Sequence, residues 1–440
     1  MSHIRSPEAA TPPGISPLPG GLGWVVADRE AAVGLLSDDR LGVVESTAVM
    51  ASLTHGLADD VRPMAEELGA FAERIMLQAS PERHAGLRRA FGRFFTADAV
   101  EAMVPALRAL ADRVVGRFAA AGGGEFMTAV AFRYAIECGA HLLGLSPEEF
   151  HRLHKLSQRL ALVAYAARLP DPAAAVTEGH AALAEIRRSL RRARPQAPPG
   201  SVLGAWHAGW TGGLAEEDFE ANIVMLVQAS LETVAGMLGN AAIFILGSPA
   251  ASDPAHREAM LDEALRSEPP LKTLERVAHA PITFGDLHVR AGQIISVRVA
   301  EANRPDDRVA GRAVLSFGWG AYRCLGARLA RYQAIELFDA LHRAAPGAVL
   351  VDDEIERIRH IRFNMPRRLM VRCPAAEPEP DLARMLTESL AEHDLDRPLS
   401  SVERVMAAAT LEQNGHTVPD HATAPTTIRG WLAWATTHRG

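Results

Sequence analysis

Phe317-Gly-Trp-Gly-Ala-Tyr-Arg-Cys-Leu-Gly326 runs without interruption into Ala327-Arg-Leu-Ala-Arg331. It is a glycine-rich loop carrying one cysteine and ending where a helix begins. A thiol placed there meets backbone N–H groups at the positive end of a helix, which predicts a lowered pKa for Cys324. Gly318, Gly320 and Gly326 remove side chains from the loop and let a flat, bulky partner come close to the backbone.

Outward from that loop, the 440 residues allow one large or two smaller domains and a sizeable core. A formal charge of −7 argues against nucleic acid as a partner, since nucleic-acid binders show basic stripes. Cys138, Cys324 and Cys373 lie far apart, so no zinc site or disulfide framework is predicted and a reducing cytoplasm fits. Residues 1–23 are rich in Pro and Gly, with no apolar run behind a basic start, and read as neither signal peptide nor anchor. The apolar stretch from Ile223 to Leu246 is interrupted by Gln228, Glu232 and Asn240. That predicts a buried core helix and no membrane span.

Trp24 to Leu36 reads as a short strand followed by a helix capped by Asp28. Helical periodicity then covers 59–78, 82–95, 97–121, 125–143, 147–167, 173–194, 216–247, 254–267 and 326–344. Strand-like runs are confined to 281–299 and 347–372, so the fold class is mainly α with a small β part. Gly122-Gly-Gly124 reads as a helix stop, and His151, His154 and His279 as satisfied or exposed imidazoles. The expected domains are a body over 1–375, a Pro/Glu linker over 376–380 and a small helical appendage over 381–440.

The spacing Phe-Gly-x-Gly-x-x-x-Cys-x-Gly resembles the haem-binding signature of the cytochrome P-450 family, and four further segments extend the likeness over about residues 24–373. The resemblance implies the cytochrome P-450 fold, here trimmed at the N-terminus and before the cysteine loop. It also implies a haem b (iron protoporphyrin IX) cofactor ligated by Cys324 and contacted by Phe317, Gly318 and Gly326. His84 and Arg88 share a helix face in Ser80-Pro-Glu-Arg-His-Ala-Gly-Leu-Arg-Arg89, where they would hold a propionate. Arg276 would reach a propionate from a strand, and Tyr322 stands where relatives carry His or Arg.

Ala229-Ser-Leu-Glu-Thr-Val234 is similar to the family's oxygen-activation segment, with Glu232 and Thr233 as acid and alcohol and Ser230 replacing a common glycine. Glu263 and Arg266 resemble the structural Glu-x-x-Arg pair beneath the haem. Ala302-Asn-Arg-Pro305 resembles Ala-Asn-Arg-Asp-Pro without its aspartate. The short loop after it leaves Arg308 or Arg312 as the third partner of that pair.

The implied function is a haem-thiolate monooxygenase, an oxidoreductase acting on a small organic or natural-product-like substrate in secondary metabolism. It would be fed by a ferredoxin or flavodoxin, because the chain shows no flavin or nicotinamide fingerprint. The alternative is a non-catalytic relative that stabilises a partner enzyme such as a glycosyltransferase. Residues 399–435 read first as an unrelated helical tail. They also bear a faint similarity to acyl carrier proteins, with Pro398 where the attachment serine would stand and Ser400 and Ser401 nearby. On either reading 381–440 is a candidate surface for partner docking.

Overall fold

The computed structural model describes residues 14–43, 57–246, 248, 252–304, 313–351, 354–374, 382–390, 394, 396–413, 418–419 and 424–437. The chain divides into two units, Met1–Pro374 and Ala375–Gly440.

The first unit opens on β1 (Ile15–Pro17) and β2 (Gly23–Val26), followed by α1 (Arg29–Leu36). Asp28 caps α1 by accepting from Ala31 N at 2.8 Å. A five-stranded sheet then forms in the order β1-β2-β8-β5-β3, using β3 (Leu41–Gly42), β5 (Thr273–Ala278) and β8 (Ile294–Arg298). β2 runs parallel to β8, with Trp24 opposite Ile295, and β5 runs antiparallel to β8, with Arg276 opposite Ile295. A Cβ on Gly23 would fall 1.9 Å from the Ile294 carbonyl oxygen, so this close pairing requires glycine. The sheet buries Val26, Ile295 and Val297 together with Leu35 of α1. β6 (Ile282–Phe284) and β7 (Leu287–Val289) form a hairpin, and β4 (Gly123–Glu125), β10 (Met370–Arg372) and β9 (Val349–Leu350) a third small sheet.

The body is helical: α2 (Arg62–Ala72), α3 (Pro81–Gly92), α4 (Ala97–Ala120), α5 (Arg133–Leu143), α6 (Pro147–Leu162), α7 (Pro172–Ala193) and α8 (Val202–His207). α9 (Glu216–Ala229), α10 (Glu232–Leu246), α11 (Pro254–Ser267), α12 (Val299–Ala302) and α13 (Ala327–Ala344) follow. Their inward faces make one core that includes Phe91, Phe126, Tyr134, Phe150 and Phe219. α13 lies along α4, where Arg108 grips buried Glu336 through two hydrogen bonds of 2.8 and 3.1 Å, a bidentate, charge-assisted contact.

Three expectations need correction. Gly122-Gly-Gly124 stops α4 but also starts β4, where Gly124 pairs with Val371. The strand Thr273–Ala278 falls outside the β-branched runs because Glu275 and Arg276 interrupt its apolar pattern. The helix expected over 216–247 is broken at Ser230–Leu231 into α9 and α10. The break has a local cause: the Ser230 hydroxyl donates to the Leu226 carbonyl at 2.7 Å and the Thr233 hydroxyl to the Ala229 carbonyl at 2.6 Å. Such back-bonding by Ser and Thr bends helices.

The polar residues that punctuate the apolar stretch are satisfied inside the body. Gln228 donates to the Ser157 carbonyl at 2.8 Å. Asn240 donates to the carbonyls of Glu268 and Asn364 at 2.8 and 2.9 Å and accepts from Arg357 at 2.9 Å. The combined run Glu216–Leu246 is long and apolar enough to cross a membrane, and most of its apolar window is buried in the core.

The second unit contains α14 (Leu382–Leu390), α15 (Ser401–Gln413) and α16 (Ile428–Thr437). Leu386, Ala407, Leu411, Ile428 and Trp431 form its own core. Pro398 is exposed, and Ser400 opens α15 through reciprocal hydrogen bonds with Glu403, a capping box. The residues 376–380, expected to form the linker, lie outside the described residues.

Candidate functional site: a cysteine loop flanked by cations

The loop carrying Cys324 is shaped by its own backbone. Two single turns of 3-10 helix, Leu315–Phe317 and Gly320–Tyr322, are separated by Gly318 at φ 73°. Cys324 N donates back to the Phe317 carbonyl at 2.7 Å and closes the loop. Gly320, at φ 66°, sits so close to the end of α1 that a Cβ would lie 2.3 Å from the Leu36 carbonyl oxygen.

The loop's base is clasped by Asn303, which is buried. Asn303 donates to the Ser316 hydroxyl at 3.0 Å and accepts from Leu315 N at 2.7 Å, while Ser316 donates to the Leu265 carbonyl of α11. This ties the segment 302–304, α11 and the cysteine loop into one unit. Its local partners explain why an asparagine is needed there even where the following aspartate is missing.

Cys324 is exposed and follows directly into α13. Gly326 N–H hydrogen-bonds its sulfur, and Arg88 and Arg323 add positive charge. Although the side chain stays open to solvent, desolvation by the protein atoms crowded around it pushes the thiol up against those three contributions. The lowered thiol pKa expected from the helix end alone is thereby corrected.

His84, Arg88, Arg276 and Tyr322 converge beside this sulfur. The His84 ring lies on the Tyr322 ring with centroids 4.1 Å apart, and the Arg276 guanidinium sits 5.0 Å from the centre of the same ring. Burial, aided by the charges of Arg88 and Arg276, pushes His84 down to about 4. Burial also lowers Arg88 and Arg276. Among the described residues no carboxylate offsets either guanidinium. Such a crowded, desolvated cationic cluster is costly alone and is relieved by an anion.

Across the body, Glu232 and Thr233 begin α10. The Glu232 carboxylate accepts from His154 Nε2 at 3.0 Å and Gln158 Nε2 at 2.8 Å, both on α6. Burial alone would raise Glu232, but the hydrogen bond and charge of His154, with Gln158 assisting, hold its carboxyl below the usual range. Ser230 packs over α5, where a Cβ on Gly139 would lie 3.2 Å from the Ser230 hydroxyl. The i, i+4 spacing of His154 and Gln158 is legible in the sequence. Their partner, more than 70 positions away, is not.

Glu263 and Arg266 meet at 3.2 Å, with 44% and 24% of their side-chain surfaces exposed. This pair is therefore partly open to solvent. Arg308 and Arg312 lie outside the described residues.

No protein-family model matches the chain. Among curated proteins it is 25% identical over 356 residues to cytochrome P-450 107B1 of Saccharopolyspora erythraea, covering 73% of this chain and 83% of that protein. It is also 25% identical over 352 residues to the mycinamicin VIII C21 methyl hydroxylase of Micromonospora griseorubida, covering 76% and 86%. Among solved structures, P-450BioI in complex with hexadec-9Z-enoic acid ligated acyl carrier protein superimposes with a TM-score of 0.66 at 22% identity over 80% of this chain and 92% of that one. Epothilone B-bound P-450epoK gives 0.67 at 21% identity, covering 82% and 93%. The fold is that of the cytochromes P-450, mainly helical with little strand. The chain is similar in sequence and fold to the bacterial cytochromes P-450, and its named hydroxylase and monooxygenase relatives are oxidoreductases.

The family implies a haem, and the residues present suit one. A single thiol stands on a loop whose glycines leave its face open, beside cations that no described carboxylate offsets. That donor set suits an iron porphyrin bearing two propionates.

Proposed function

We propose that the chain is a haem b monooxygenase that inserts oxygen into a small organic or natural-product-like substrate of secondary metabolism. In this reading it works in the cytoplasm with electrons from a ferredoxin or flavodoxin. Cys324 would hold the iron, with Gly326 N–H fixing the sulfur and Phe317 and Gly318 forming the floor. His84, Arg88 and Arg276 would take the propionates, and the Tyr322 ring would separate His84 from Arg276. A haem held by a cysteine thiolate supplies O–O cleavage.

The chain's own residues would manage protons and shape. Thr233 spends its hydroxyl hydrogen on the Ala229 carbonyl, so its oxygen remains free to accept a hydrogen bond near the helix break. Glu232, one residue earlier, is the nearest acid on α10. Ser230 narrows the break beside Gly139. The observation that carries the proposal is the gathering of an exposed cysteine, a buried histidine and two half-buried arginines from the loop, α3 and β5 at one place.

The substrate class rests on the relatives, which include an erythromycin C-12 hydroxylase of Saccharopolyspora erythraea. For the second unit we infer a docking role toward a partner protein. Its private core and the proline at position 398 support docking and leave no attachment serine at the matching place.

The test is reconstitution. The purified chain is expected to take up one haem and, with a ferredoxin and its reductase, to consume reductant in an oxygen-dependent manner. A folded chain that takes up no haem would overturn the reading.

A further inference from the structure

Glu137 on α5 is buried, and three arginines converge on it. Arg113 Nη2 donates to Oε2 at 2.5 Å, while Arg117 Nη2 and Arg133 Nε both approach Oε1, at 3.5 and 3.3 Å. Arg113 and Arg117 stand one turn apart on α4, and Arg133 and Glu137 one turn apart on α5, so the four side chains fill the seam where these helices pack. The side chains of the arginines are 50%, 51% and 54% exposed against 6% for the carboxylate. The cations therefore form the outer surface and the acid its floor.

Charge does not balance in this seam. Guanidinium groups stay protonated at any working pH, so three positive charges meet one carboxylate. Among the described residues none of the three has a second acidic partner. Acids on the adjoining elements are spent elsewhere. Asp112 of α4 pairs with Arg343, and Glu336 of α13 with Arg108. Glu149 of α6 is taken by Arg152 and Arg192. Glu125, ahead of the short helix Met127–Phe132 that leads into α5, accepts from the backbone N–H groups of Met127, Thr128 and Leu369. His141, one turn past Glu137, is exposed and brings no acid.

Hydrogen-bond donors are in excess as well. A guanidinium carries five N–H donors in a planar fork. Arg117 and Arg133 spend none of theirs in a hydrogen bond among the described residues; they share one carboxylate oxygen as looser ion pairs. Two cations held side by side at a half-open surface repel, and a bound anion relieves them.

We propose that the α4–α5 seam is an anion site for a phosphate group of two or more negative charges, such as a phosphate monoester or a diphosphate. The phosphate draws Arg117 and Arg133 off their shared oxygen, and each guanidinium presents its fork to two phosphate oxygens. Arg113 stays behind and keeps Glu137 paired. A monoanion such as a simple carboxylate offsets only half of the surplus charge. No residue of the cysteine flank takes part, so the site stands apart from the haem reading.

The experiment is calorimetric titration of the full chain with pyrophosphate and, separately, inorganic phosphate, at neutral pH and low, matched ionic strength, with and without haem. Wild type is compared with Arg117→Gln/Arg133→Gln, with Glu137→Gln, and with Arg188→Gln/Arg192→Gln, which removes the same charge from α7. Circular dichroism verifies folding.

Wild type should bind one pyrophosphate, and phosphate several-fold more weakly. The seam double variant should bind pyrophosphate at least about tenfold more weakly, while the α7 double variant stays within about twofold of wild type. Glu137→Gln removes the competing carboxylate and should tighten binding several-fold, an outcome that a purely structural role for the three arginines does not produce. No saturable binding to wild type, or equal losses in the two double variants, would overturn the proposal. If Glu137→Gln fails to fold, the comparison of the double variants decides alone, because the seam double variant keeps the Arg113–Glu137 pair.

Discussion

The cysteine flank and the central helix break treat their polar groups in opposite ways. At the flank, His84, Arg88 and Arg276 crowd together, each pushed toward neutrality by burial, with no described carboxylate to offset the two arginines. At the break, Ser230 and Thr233 satisfy themselves on their own helix, and Glu232 is held by His154 and Gln158. The first region is arranged for an anion the chain does not supply. The second is complete without a ligand and must be opened to act. Binding and chemistry are divided between them accordingly.

The largest effect that could break this contrast is at the flank. Arg88→Ala combined with Arg276→Ala is expected to weaken haem uptake by at least tenfold, or about 1.4 kcal/mol or more. Unchanged uptake in a haem titration would mean the cluster does not serve the propionates.

A pH experiment sharpens the same point. His84 falls to about 4 in the folded chain against an ordinary 6.5, so the unfolded chain binds the proton first as pH drops. The haem-free protein should keep its stability above pH 6.5 and lose up to about 3 kcal/mol as pH falls toward 4. Haem should remove most of that loss by placing an anion beside the imidazole. Denaturant midpoints that are equally acid-sensitive with and without haem would contradict the assignment.

At the break, Thr233→Ala is expected to leave haem content and folding unchanged, within about 0.5 kcal/mol, because the hydroxyl bonds only a local carbonyl. It should divert reductant into peroxide severalfold. Unchanged coupling would move proton handling to Ser230.

The smallest effect is expected at Glu263→Ala. With Arg266 24% exposed and Glu263 44% exposed, loss of this ion pair should cost about 1 kcal/mol or less in thermal or chemical unfolding. A much larger loss would mean that the pair is a structural contact and not a solvent-screened one.

The cysteine loop, the His84/Arg88 face and the succession of helices are all legible in the sequence, because short-range spacing and periodicity decide them. The break in the central helix is not: apolar periodicity runs straight through Ser230, where two hydroxyls bond backbone carbonyls of the preceding turn. Cys324 shows the limit of local electrostatics. A helix start argues for a low pKa, but desolvation by protein atoms crowded around this exposed cysteine reverses the sign. The partnership of Glu232 with His154 is invisible for the same reason, since it depends on how α6 crosses α10. Arg276 lies on a strand whose charged residues mask its alternation, and the likeness to a known family locates it where periodicity does not.

The central claim is that Cys324 ligates a haem iron held by the cationic flank, and the spectrum of the reduced, carbon-monoxide-bound protein tests it most directly. The account predicts the strongly red-shifted Soret band of thiolate ligation in the wild type and its loss in Cys324→Ser. A haem-loaded wild type lacking that band, or a Cys324→Ser protein that keeps it, would contradict the account.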